Sequence, residues 1–179
     1  MNVYVLRADL NRYRSIYYTE EDDIIEFMRG FNGTPIGRSW TAQGKFQFNR
    51  GRLTKGDTPG LATHAPAFSL KAAKILADFL EPNGELLPIT CNDESYFVFN
   101  VTRVIDALDE AACELKLFDD GDIMDVVRFA FYPDRLKGAT VFKVPQCVLM
   151  DVFVTDPFVE RVKAAGLKGF TFRLVWSSY

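Results

Sequence analysis

Residues 95–101, SYFVFNV, set seven positions in a row without regular alternation of polar and apolar side chains. Such a run predicts a strand buried on both faces, so the chain has to cover it from two sides. Immediately after it the pattern changes. Asn100, Thr102 and Asp106 carry side chains that compete for backbone hydrogen bonds, while Val104, Ile105 and Leu108 fall at helical spacing. The segment RVIDALDE is therefore expected to form a short helical turn with its apolar face inward.

The rest of the chain supplies elements to cover that strand. VYVL, residues 3–6, reads as a strand, and EEDDIIEFMRG as a short helix with an acidic first turn that ends at Gly30. FNGTPIG is a loop, KFQF an alternating strand and NRGRLTKGDTPG a second loop. Ser69 can cap a helix with Ala72, Ala73, Leu76, Phe79 and Leu80 on one face, which Pro82-Asn83-Gly84 stops. ELLPI is a further strand. CELKLF and IMDVVRFAFY flank DDGD as a hairpin in which Gly121 supplies the positive φ of a tight turn. ATVFKV and CVLMDVFV are strand candidates, and Thr155-Asp156-Pro157 starts a helix that buries Phe158, Val162 and Ala165 before Gly166. GFTFRLVW closes the series as a strand.

These elements predict an α+β fold: a mainly antiparallel sheet with two principal helices. At 179 residues, 48% hydrophobic and with 16 phenylalanines, the chain can bury a core without staples. One continuous domain over 1–179 is expected, with an N-terminal strand and less regular lobe at 1–59 and the α+β core at 60–179. Phe97, Phe99, Val104, Leu108, Phe158, Val162 and Phe172 are its expected buried residues.

The chemistry-bearing residues point away from catalysis. Cys91, Cys113 and Cys147 are odd in number and lack CxxC spacing, which predicts free thiols and a cytoplasmic location. His64 is the single histidine, in the loop GLATHAPAF, with Cys91 and Ser69 as conceivable nucleophiles; a surface position is expected for it. No metal ligand set or cofactor motif is evident. GRLTKGDT, residues 51–58, brushes against a phosphate-loop pattern but carries Asp57 where a lysine is needed. Residues 38–55 interleave Lys and Arg with Trp40, Phe46 and Phe48, a composition a single-strand binder uses. The net charge of −3 argues against a nucleic-acid partner, and no membrane segment is present.

Four ordered blocks, APAFSLKAAKILADFL with NGELLPI, YFVFNVTRVIDALDE, LKGATVFKVP and VFVTDPFVERVKAAGLKGFTF, resemble a bacterial immunity-protein family of polymorphic toxin systems. That family is catalogued as immunity protein 11, earlier as a domain of unknown function, and the resemblance spans roughly residues 60–176. It implies a non-catalytic intracellular protein that binds and neutralises a cognate toxin domain made next door. It carries no catalytic residues to transfer, so Asn100, Thr102 and Asp106 read as a structural motif.

Toxins that attack nucleic acid present basic clefts, and acidic runs can steer to them. Glu20, Glu21, Asp22 and Asp23 form one candidate interface; Asp119, Asp120 and Asp122 form the other. The rival readings are a ligand-binding or hydrolytic domain built on the His64 loop, and a nucleic-acid-binding regulator built on residues 38–55. A homo-oligomer is compatible with all of them.

Overall fold

A computed structural model of the protein describes residues 1–19, 24–41, 46–49, 51 and 53–178. In chain order its elements are β1 (Asn2–Ala8), β2 (Ile16–Tyr18), α1 (Ile24–Arg29), β3 (Phe46–Phe48), β4 (Ala67–Ser69), α2 (Leu70–Ile75) and α3 (Ala77–Leu80). Then follow β5 (Gly84–Cys91), β6 (Glu94–Val101), β7 (Glu114–Leu117), β8 (Ile123–Arg128), β9 (Val141–Phe142), β10 (Phe153–Thr155), α4 (Asp156–Ala164) and β11 (Phe170–Ser177). The fold is α+β and mainly antiparallel.

Two sheets share one core. The first runs β11-β1-β10-β9, so the N-terminal strand sits between strands from the C-terminal end of the chain. The second runs β2-β3-β5-β6-β4 and is antiparallel except where Phe46 of β3 meets Cys91 of β5. Between them, Leu6, Val141 and Val154 of the first sheet pack with Phe68, Phe99 and Val101 of the second, along with Leu76 and Leu80 and with Phe158 and Val162 of α4. On the far side of the second sheet, Tyr96 and Val98 meet Phe31, Phe46 and Ile89. Alternate residues of β6 thus enter different cores, which is why Val98, Phe99, Asn100 and Val101 are all buried in succession. Val3, Val5 and Phe153 build the third core, with Phe129, Phe131 and Phe142.

Ser69 begins α2 as its sequence position predicts. Its Oγ accepts from the Ala72 amide at 3.1 Å and donates to Asp57 Oδ1 at 3.0 Å. The helix is not continuous, however; Leu76, at φ −101° and ψ 6°, divides it into α2 and α3. The start of α4 also differs from expectation. Thr155 occupies the N-cap but makes no cap bond, because its hydroxyl donates to the Ala139 carbonyl at 2.7 Å. Asp156 in the first turn instead accepts from the Asn2 amide at 2.8 Å, tying α4 to β1.

The helical turn expected through RVIDALDE is absent. The segment is extended: Val104 forms a parallel bridge to Lys143 and Leu108 an antiparallel one to Phe131. Backbone groups that a turn would have paired locally find remote partners. The Ile105 amide donates to Lys143 O at 2.8 Å, and the Lys143 amide to Arg103 O at 3.0 Å. Of the residues expected in the core, Phe99, Leu108, Phe158 and Val162 are buried. Phe97 and Phe172 are half-buried, and Val104 is 39% exposed, a direct result of the extended conformation.

Candidate protein-interaction surface

Asn100, Thr102 and Asp106 do not converge on one site. Asn100 is fully buried, and its Nδ2 donates to Thr34 O at 2.8 Å and to Glu85 Oε2 at 3.0 Å. Burial pushes the Glu85 carboxyl up, but bonds from the Ile36 amide, Asn100 and the Gly37 amide outweigh it and hold the group below its ordinary value. This cluster fastens the 31–37 loop to β5 and β6. The Thr102 amide donates to Asn83 O at 3.0 Å. Asp106 lies at the surface, where it accepts from Arg135 Nη1 and Gln146 Nε2, each at 3.1 Å. Arg135 in turn lies over the Tyr132 ring at 4.6 Å, and the Tyr132 hydroxyl donates to Asp109 at 3.1 Å.

Asp119, Asp120 and Asp122 occupy the tip of the β7–β8 hairpin and are exposed. Gly121 has φ 91°, the left-handed conformation the turn requires. The tip is ordered by its own bonds: the Phe118 amide donates to Asp122 O at 2.8 Å, and the Asp122 amide to Asp120 Oδ1 at 3.1 Å. Among the described residues β7 and β8 pair only with each other. Leu115, Ile123 and Val126 turn inward onto the core around Phe129 and Phe153. Leu117, Phe118, Met124 and Val127 remain 47–53% exposed around the carboxylates.

The hairpin thus combines an acidic tip with a group of exposed apolar side chains, more uncovered apolar surface than single scattered residues give. Register shifts at Glu114/Leu115 and Lys116/Leu117 break the two-residue period, so the apolar face could not be read from alternation. Glu20, Glu21, Asp22 and Asp23, the other acidic candidate, lie outside the described residues.

The residues nominated for the rival readings are engaged elsewhere. His64 is half-buried rather than on the surface, and its Nε2 meets Met28 O at 2.9 Å. Burial lowers its proton affinity, only partly offset by that bond. Around it lie Ile24, Ile25, Met28 and Leu149, with Arg29 at the margin, an apolar surround without convergent polar groups. Burial pushes the Cys91 thiol up to about 12, which removes the thiolate a nucleophile needs. The Ser69 hydroxyl is committed to its cap and to Asp57.

Asp57 itself also accepts from the Lys168 amide at 2.8 Å, so its carboxylate clasps Ser69 and Lys168 rather than facing a ligand. Nor are the aromatics of residues 38–55 a stacking platform. Phe46 and Phe48 are buried, and Trp40 packs on Phe27 and Phe31 with its indole N–H donating to Pro88 O at 2.8 Å.

The domain is thus β-rich α+β and presents an ordered hairpin with an acidic tip and partly exposed apolar side chains. Residues 90–176 match the model of an immunity protein family (Imm11). This is the family the sequence blocks resemble, and the match takes in the whole hairpin and the Asn100–Asp106 motif, while the APAFSLKAAKILADFL and NGELLPI block lies before it. No curated protein matches the chain. No helix among the described residues is long and apolar enough to cross a membrane.

Proposed function

We propose that the protein is a non-catalytic immunity protein that works inside the cell by binding and neutralising a cognate toxin domain, with the β7–β8 hairpin as its contact. The observation that carries this reading is the family match, which encloses the hairpin. Within that span the hairpin combines a charge excess with uncovered apolar side chains. Glu114, Asp119, Asp120, Asp122 and Asp125 face only Lys116 and Arg128 in residues 114–128. Carboxylates of this kind accelerate encounter with a basic cleft, and Phe118 is placed to anchor the complex once formed. Binding, not turnover, is the expected activity.

Co-expression with the toxin domain encoded beside it tests the proposal. The wild-type protein is expected to restore growth. His64→Ala should protect as well as wild type, whereas combining Phe118→Ala with Asp119→Lys and Asp122→Lys should abolish protection without unfolding the protein. Loss of protection in a stable His64→Ala protein, or full protection by the hairpin variant, would contradict the assignment.

A further inference from the structure

A second site lies away from the hairpin, where the loop after β3 meets the turn between β5 and β6. Arg14, Phe48, Asn49, Gly51, Lys55, Asn92 and Glu94 border a pocket of about 280 Å³ there. Two cations sit over one ring: Arg14 Cζ is 5.9 Å and Lys55 Nζ 6.0 Å from the centroid of Phe48. Both cations border the same pocket, where like charges repel and the ring quadrupole offsets only part of that cost. Tertiary structure holds them in place. Arg14 Nε donates to Leu53 O at 2.7 Å, and Lys55 pairs with Glu94.

The two asparagines are oriented so that their donors are left over. Asn49 Oδ1 accepts from the Ser15 amide at 3.1 Å, and Asn92 Oδ1 accepts from the Phe48 amide at 2.9 Å. Asn92 stands in the tight turn at φ 49°, followed by Asp93 at φ 65°, so its position is fixed by backbone geometry. With each oxygen committed, each Nδ2 amide is free to donate, and neither has a partner among the described residues. The Nη1 and Nη2 groups of Arg14 likewise donate no hydrogen bond there. Gly51 contributes no side chain, and nothing stands within 4 Å of where its Cβ would lie. Among the described residues Glu94 is the one carboxylate bordering the pocket, and Lys55 pairs with it.

Among the described residues donors therefore outnumber acceptors, with net positive charge, in a concave site. We propose that this pocket binds a small oxyanion of the phosphate class, clasped by the Arg14 guanidinium, the Lys55 ammonium and the Asn49 and Asn92 amides. Charge-assisted bonds from a planar guanidinium suit such a ligand, and the carboxamides supply neutral donors that define its position. Most of these residues precede the segment that matches the immunity family; Asn92 and Glu94 fall within it.

Titration of the full chain with inorganic phosphate, followed by NMR at constant ionic strength with chloride as control, tests the site. Saturable shifts of the Asn49 and Asn92 side-chain NH₂ resonances are expected. Asn92→Asp keeps the oxygen that accepts from Phe48 but replaces the donor by negative charge, and should weaken phosphate binding about tenfold or more. Lys55→Gln, at an exposed position, should weaken it too and provides the test should Asn92→Asp fail to fold. Shifts that grow linearly and match those produced by chloride, or unaltered phosphate binding in a folded Asn92→Asp or Lys55→Gln protein, would overturn the proposal.

Discussion

Replacing Phe153 by alanine is expected to remove about 3–5 kcal/mol of stability, measured as a fall in the urea midpoint at unchanged slope. The side chain is fully buried on β10, between β1 and β9 in the first sheet. Its ring lies 5.3 Å from Phe129, 5.5 Å from Phe131 and 5.5 Å from Phe142, centroid to centroid. Truncation forfeits the transfer energy of the ring and leaves a cavity that a sheet centre held on both edges cannot close. Because whole domains are stable by only about 5–15 kcal/mol, a loss of that size threatens folding at ordinary temperature. A cost below about 1 kcal/mol would show that this cluster is not a core.

The second large effect is a pH dependence centred on Lys143. This lysine is wholly buried, and its Nζ donates to Phe31 O at 2.5 Å. No carboxylate among the described residues forms an ion pair with it. Burial pulls its pKa from 10.5 down to about 8.

Below pH 8 both folded and unfolded chains hold the proton, and the folded state bears the full cost of a buried charge. Between pH 8 and 10.5 the folded chain releases the proton while the unfolded chain keeps it, so stability rises with pH. The gain is on the order of 3 kcal/mol across that window, with a little under half of it present by pH 9. Cys91, Cys147 and Tyr96 act in the opposite sense, since burial pushes each up to about 12 and their unfolded counterparts ionise first. Subtracting the profile of Lys143→Met from that of wild type cancels these groups. The difference is expected to rise from pH 7 to pH 9, and a flat difference would refute the buried charge.

Local patterns made much of this fold legible. The lack of regular polar alternation in SYFVFNV announced a strand buried on both faces, Ser69 announced a helix start, and DDGD announced a hairpin. What the sequence did not disclose depended on remote partners. RVIDALDE has helical spacing, yet Lys143 and Phe131 offer its backbone sheet-like bonds that no local window contains. The aromatics between Arg38 and Lys55 suggested stacking on nucleic acid until Phe27, Phe31 and Tyr96 were seen to enclose them.

The burial of Lys143 was equally hidden, because ATVFKV gives its lysine no mark distinguishing interior from surface. In the hairpin the carboxylates were visible as a run, but the exposure of Leu117, Phe118, Met124 and Val127 was not, because two register shifts break the alternation that would have separated the faces. Half of the candidate interface was therefore readable, and the apolar half was not.

The most direct test of the central claim is the association of the purified protein with the toxin domain proposed as its partner, followed by stopped-flow across a range of salt concentrations. Wild type should associate rapidly at low salt and more slowly as screening shortens the reach of its carboxylates. Asp119→Lys combined with Asp122→Lys should slow association and flatten the salt dependence, while Phe118→Ala should leave association nearly unchanged and speed dissociation. Identical kinetics for wild type and all hairpin variants would place the contact elsewhere and contradict the account.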